Sequence, residues 1–247
     1  MIDSRLEGAV SVLTINRPQR RNALSEEVVR TLGHHLRENE VNPAVRVTVI
    51  TGCEPGFCAG SDLKELATMD LRGMCEHEAE TGQFCRSISQ LRKPVIAAVE
   101  GFALGGGFVF AASCDIVVTG ASCRWHLPEV KIGWVPPWGL EALVARLGPI
   151  AARRFTWGSE ECSGTDAHRA GLVDYLAADG QALNIALDIA NRLSALPDVA
   201  VAATKAYFAP HAGRNGETGD VIANQMFEEN CKHPVAQATL KKFGVRV

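Results

Sequence analysis

The sequence predicts an α/β protein built on a mostly parallel sheet, and three observations carry that expectation. Short β-branched runs alternate with helical stretches through the first half of the chain. Two of the runs, residues 45–51 (VRVTVIT) and 94–99 (PVIAAV), are apolar almost throughout, as strands covered on both faces should be. Both runs are followed by Gly-rich turns that lead towards a helix. The chain has 247 residues, enough for one sizeable core with a small appendage.

Each element has its own local reason. Residues 10–15 (VSVLTI) form a strand run that Asn16, Arg17 and Pro18 end. Ser25 is an N-cap, and Glu26 and Glu27 place acids in the first turn of a helix predicted to reach about Arg37. After the strand at 45–51 comes a loop over residues 52–60, rich in Gly, Cys and Pro. Residues 62–69 and the polar stretch on to Ser89 read as helical. The strand at 94–99 leads into Gly101–Gly107, a small-residue helix over 108–113 and a fourth strand over 115–119. Beyond Leu140 the pattern turns helical, with predicted helices at 140–147, 166–170, 181–196, 199–207 and 218–229. A core over residues 1–190 and a C-terminal helical region over 191–247 are therefore expected, with a soft boundary between 185 and 200.

Composition excludes several function classes. A formal net charge of -3 provides no basic footprint for nucleic acid, and 6% aromatic residues are few for stacking bases. The longest apolar stretch, residues 95–118, contains Glu100, Asp115 and four Gly, so it does not read as a membrane span. No pair among the eight Cys is spaced C-x-x-C, and no Cys/His cluster suggests a metal. The start of the chain is polar and has no signal-peptide pattern. The expectation is reduced thiols and a cytoplasmic location.

The glycine-rich turns fail the common phosphate-binding patterns. G-x-G-x-x-G would need a Gly where Phe110 stands, G-x-x-x-x-G-K-[ST] is absent, and the residues around Ser61 do not form G-x-S-x-G. Two loops remain, each leaving a buried strand and entering a helix: Phe57–Leu63 and Gly101–Gly107. Three consecutive Gly remove every Cβ from the second turn, so its backbone N–H groups can approach a ligand. Amides converging from both loops would stabilise negative charge on a carbonyl oxygen, each worth about 2.7–4 kcal/mol in a transition state. Tight packing of strand on helix would call for the same glycines.

Seven blocks occur in one order: Asn16-Arg17-Pro18 with Asn22-Ala23-Leu24-Ser25; Phe57-Cys58-Ala59-Gly60-Ser61-Asp62-Leu63; Lys93 to Val99; Gly101 to Gly107; Cys114-Asp115-Ile116; Pro128-Glu129-Val130; and Ala170 to Asp174. Together they resemble the enoyl-CoA hydratase/isomerase (crotonase) superfamily, strongly over residues 10–174. The resemblance implies a spiral of ββα units with a helical C-terminal region, and a homotrimer or dimer of trimers. It implies an acyl-CoA thioester substrate, with coenzyme A entering as part of that substrate and no separate cofactor. The oxyanion hole would be the backbone N–H groups of Ser61 and Gly106. Arg20, Arg21, Ala23, Ala59, Asp62, Leu63 and Lys64 would line the CoA groove, with Arg20, Arg21 and Lys64 facing phosphates.

Hydratases of this family generally carry two glutamates. Here one of those positions holds Val109, and Glu129 fills the other. Hydration needs water to be deprotonated while a proton reaches Cα, whereas a Δ3-Δ2 double-bond shift needs a single base. Gly133 to Trp138 also resembles the Pro/aromatic segment of one-glutamate isomerases, and Val109, Trp134 and Trp138 would wall the pocket and raise the Glu129 pKa. The expectation is thus an isomerase-type proton shuttle on Glu129, with hydration as the alternative and a CoA-ester-binding scaffold as a further one. Asp62, a helix cap, stands second as an acid. Asp115 reads as an anchor for backbone donors, Glu141 as a solvated helix residue, and His126 as a core or rim side chain. Glu100 stands where the family often has Asn.

Overall fold

The computed structural model describes residues 1–158, 161–212 and 215–244. In chain order the first elements are β1 (Ile2–Glu7), β2 (Val10–Ile15), α1 (Glu26–Val41), β3 (Val47–Gly52), α2 (Leu63–Leu66), α3 (Leu71–Gln90), β4 (Val95–Val99), β5 (Phe102–Leu104) and α4 (Gly106–Ala112). There follow β6 (Ile116–Gly120), β7 (Arg124–His126), α5 (Leu140–Thr156), β8 (Cys162–Ser163), α6 (Gly164–Arg169), β9 (Tyr175–Ala177), α7 (Ala182–Ser194), α8 (Asp198–Ala212), α9 (Gly216–Cys231) and α10 (Pro234–Phe243).

The main sheet has the order β1-β2-β3-β4-β6-β9 and is parallel except where β1 returns antiparallel on β2. Period-two alternation divides its strands between two cores. Leu13, Ile15, Ile50, Ala97 and Val99 face α1, α3 and α4, while Val10, Val12, Val49, Ile96 and Ala98 face α7. Burial on both faces is why these strands read as unbroken apolar runs. The first strand was not anticipated: all but one of its residues are exposed, so it carries no apolar pattern, and only its pairing with β2 makes it a strand.

A small second sheet, β5-β7-β8, stands beside the first. Its β5 pairs parallel with β7, and a single bridge joins Cys58 to Ala103. This sheet sets the two Gly-rich loops side by side. Ser25 caps α1 as expected, its side chain accepting from the Val28 amide at 3.3 Å. The fifth helix runs on to Thr156, but it breaks at Gly148 (φ 71°, ψ 163°) before Pro149, next to the predicted end at Leu147.

The boundary expected at residue 190 falls within α7, which packs on the sheet as one helix. Beyond it, α8 packs on α3 and α5, and α9 on α3 and α5 with α10 beside it. Exposed apolar side chains along α8 and α9 include Val199, Tyr207, Phe208, Val221, Ile222 and Met226. Among the described residues no helix is long and apolar enough to cross a membrane.

Candidate active site

The two Gly-rich loops touch. A Cβ on Gly60 would lie 2.8 Å from the Gly106 nitrogen, and one on Gly107 would lie 2.3 Å from the Cys58 carbonyl oxygen. Leu24 pins the first loop from the other side: its N–H donates to the Gly60 carbonyl at 2.8 Å, and its carbonyl accepts from Asp62 at 2.9 Å. Gly105 has φ 53° and ψ −129°, a backbone state that side chains resist, and it turns the chain from β5 into α4. The amides of Ser61 and Gly106 meet no acceptor among the described residues. Ser61 and Gly106 line one cavity of about 100 Å³. Two free amides at one spot are the arrangement an oxyanion requires.

Glu129 stands beside them. A Cβ on Gly105 would come within 2.9 Å of Glu129 Oε1, so the carboxyl lies against the glycine turn itself. It is 8% exposed, lines the cavity, and its Oε2 is buried with no hydrogen-bond partner among the described residues. Its backbone is fixed from behind, the carbonyl accepting from Ile132 at 3.1 Å and from Trp134 at 3.1 Å. Burial pushes its pKa up to about 8; a backbone hydrogen bond opposes the rise and the charge of Glu78 adds to it. At neutral pH Glu129 therefore holds its proton for most of the time.

Most of the remaining wall is apolar. Val109, Trp134 and Trp138 line the cavity with Leu63, Leu66 and Met74. Trp134 meets Phe227 edge-on, with ring centroids 5.7 Å apart at 88°. Trp138 lies over the oxyanion turn: a Cβ on Gly106 would come within 3.0 Å of its ring carbon Cζ2. The turn that carries Trp138 is held by Asp220, which accepts from the Gly139 amide at 2.6 Å and pairs with Arg86.

Of the residues singled out in the sequence, Ala59, Ser61, Leu63, Gly106, Val109, Glu129, Trp134 and Trp138 share this cavity. Arg20, Arg21, Ala23, Asp62 and Lys64 do not line it. Arg20 is half-buried with Nη1 unpartnered among the described residues, and exposed Arg21 lies 4.5 Å from the centre of the Phe102 ring. Ala23 is buried and its carbonyl accepts from Arg17 at 2.8 Å, while Lys64 is exposed.

Asp62 is occupied elsewhere, pairing with Arg17 at 3.0 Å and capping α2, which removes it as an acid for the cavity. His126 is a core residue bonded to the Gly158 carbonyl at 2.9 Å. Asp115 accepts from the Val95 amide at 2.7 Å and also pairs with Lys205. Glu141 lies outside the cavity, and Glu100 accepts from the Ala182 amide at 2.8 Å.

Two features were not anticipated. The C-terminal helices, expected as an assembly region, also contribute Phe227, Leu240 and Phe243 to the cavity wall. A second carboxylate lines the cavity: Glu78 of α3, 4% exposed, accepting from Trp138 Nε1 at 2.6 Å. The count of one carboxylate at the site, on which isomerisation was preferred, thus becomes two. A signal for Glu78 existed in the sequence. It falls on the helical stripe of Met74, Thr81, Cys85 and Ile88, all buried, where a carboxylate is out of place. No group of three or more metal-binding side chains is found among the described residues.

Known proteins resemble this chain in sequence and in fold. Residues 5–244 match the family Enoyl-CoA hydratase/isomerase. The chain is 35% identical over 201 residues to the short-chain-enoyl-CoA hydratase of Clostridium acetobutylicum, covering 81% of this chain and 77% of that protein. It is 34% identical over 197 residues to the 2,3-dehydroadipyl-CoA hydratase of Escherichia coli, covering 79% and 76%. The crystal structure of an enoyl-CoA hydratase from Mycobacterium avium superposes with a TM-score of 0.86 at 29% identity, covering 98% of this chain and 95% of that one.

Proposed function

The chain belongs to the enoyl-CoA hydratase/isomerase family, and from that premise we propose that it adds water across the C2–C3 double bond of a 2-enoyl-CoA thioester. The observation that carries this reading is the pair of carboxylates, Glu129 and Glu78, lining one cavity with the two free amides. The thioester oxygen would sit between the amides of Ser61 and Gly106. Electron density drawn onto that oxygen during attack at C3 is stabilised there, and the resulting enolate collects a proton at C2. Glu129 lies against the oxyanion turn and is protonated at neutral pH, so it is placed and charged to supply that proton. The names of the relatives, hydratases both, support the same reaction.

The CoA portion would leave the cavity past Leu63, with Arg20, Arg21 and Lys64 available to its phosphates. The exposed apolar side chains of α8 and α9 suit a homotrimer or a dimer of trimers. A double-bond shift from C3 to C2 is the second reading. Val109 favours it, since it leaves the α4 side of the cavity without a proton carrier.

The test is to offer 2-enoyl-CoA and 3-enoyl-CoA separately. The proposal expects 3-hydroxyacyl-CoA from the first. Conversion of the second to 2-enoyl-CoA, with no hydroxy product from either, would establish the isomerase reading instead.

A further inference from the structure

Glu78 presents an energetic anomaly. It lies on the buried stripe of α3, and a carboxylate withdrawn from water is costly unless its lone pairs are satisfied. One oxygen, Oε2, accepts the indole N–H of Trp138 at 2.6 Å. The other, Oε1, has no hydrogen-bond partner among the described residues, and the side chain lines the cavity. An indole N–H alone would be satisfied by an amide or a backbone carbonyl, so it gives no reason for a full carboxylate here.

The placement supplies the reason. Trp138 reaches from Gly106 to Glu78, its Cζ2 edge over the glycine and its Nε1 on the carboxylate. Glu129 touches the oxyanion turn itself, whereas Glu78 meets it only through one edge of the Trp138 ring, with Nε1 on the carboxylate and Cζ2 over Gly106. A thioester carbonyl at the amides would thus put C2 near Glu129 and the next carbon towards Glu78. Building on the hydratase reading above, we infer that Glu78, entering from α3, is the base that takes a proton from water as the water attacks C3.

The Glu78 carboxylate takes one proton from water, and the water oxygen forms the C3–O bond. The C2–C3 π pair passes into the thioester, leaving the negative charge on its oxygen at the Ser61 and Gly106 amides. The enolate then takes the proton held by Glu129 at C2. Return of the proton from Glu78 to Glu129 through a cavity water restores the starting state, with one water added to the thioester. The two thiols whose charge couples to Glu78, Cys75 and Cys231, are held by burial at about 11 and 12 and stay neutral. His77, the preceding residue of α3, is buried but does not line the cavity.

The Glu78→Gln variant tests this, because its amide oxygen can still accept the Trp138 N–H. The expected result is a loss of about 10²–10⁴-fold in kcat for hydration of 2-enoyl-CoA, with KM little changed. Exchange of the α-protons of a saturated acyl-CoA in deuterated water, which uses Glu129, is expected to fall far less. The pH above which hydration declines should move down, since the charge that helps hold the Glu129 proton is gone.

Hydration by Glu78→Gln at the wild-type rate would overturn the inference and leave the hydratase reading standing. A wild-type protein that neither exchanges α-protons nor hydrates would overturn the reading itself. Trp138→Phe gives a second check, removing the indole N–H that holds Glu78 together with the ring edge over Gly106. Hydration should fall there too, and an unchanged rate would count against the Trp138–Glu78 arrangement.

Discussion

Replacing Glu129 with Gln should stabilise the folded protein, by an amount that depends on pH. The carboxyl has a pKa of about 8 in the fold against an ordinary value of 4.5, because burial penalises its charge. The folded-state value is raised, so the penalty is absent below about pH 4.5, where both states are protonated. It grows as pH rises, because the unfolded chain releases a proton that the fold retains, and it levels off above about 8. At about 1.36 kcal/mol per pH unit, wild type should lose up to about 5 kcal/mol across that window relative to Glu129→Gln, of which about 3 kcal/mol is lost by pH 7. Urea unfolding of both proteins at equal concentration, from pH 5 to 9, measures the difference directly. Parallel stability curves, with a gap that does not change with pH, would refute a desolvated carboxyl at this position.

Other consequences follow from the same geometry. Hydration needs Glu129 protonated, so its rate should fall as pH rises through about 8, whereas α-proton exchange needs Glu129 ionised and should rise over the same range; matching slopes in the two profiles would contradict the assigned roles. Gly105→Ala forces a Cβ into positive φ and to 2.9 Å from Glu129 Oε1, so turnover should drop at least tenfold while circular dichroism stays native; a fully active variant would show that the carboxyl is not where it is described. Asn22 is fully buried and donates to the carbonyls of Cys53 and Gly56 at 2.6 Å each while accepting from the Arg17 amide at 2.9 Å. Asn22→Ala should therefore cost about 2–4 kcal/mol in urea unfolding, and a cost below about 0.5 kcal/mol would deny it that anchoring role.

The legible parts of the fold are those whose burial leaves a local mark. The strands β3 and β4 are covered on both faces, so their sequences are apolar without a break. The Ser25 cap and the break at Gly148 are written in single residues. By contrast β1 has an exposed, polar pattern, and β9 is three residues long with two of them exposed, so only pairing to a neighbour defines either.

The same division holds at the site. Ser61, Gly106 and Glu129 lie in compact motifs beside strands and could be picked out by resemblance. Phe227, Leu240 and Phe243 reach the cavity from helices at the far end of the chain, and nothing local marks them. Glu78 lay hidden for a different reason. Its neighbours Glu76 and Glu80 are not on the buried stripe, and among such acids a buried one is distinguished only by helical phase.

The proposed chemistry requires an enolate at C2, held by the Ser61 and Gly106 amides and served by Glu129. The most direct measurement is deuterium incorporation at C2 of a saturated acyl-CoA in deuterated water, followed by mass spectrometry. Wild type should deuterate C2 far above the buffer rate, and Glu129→Gln should reduce that rate by about 10²–10⁴-fold. Incorporation no faster than in buffer, or equally fast in both proteins, would contradict it.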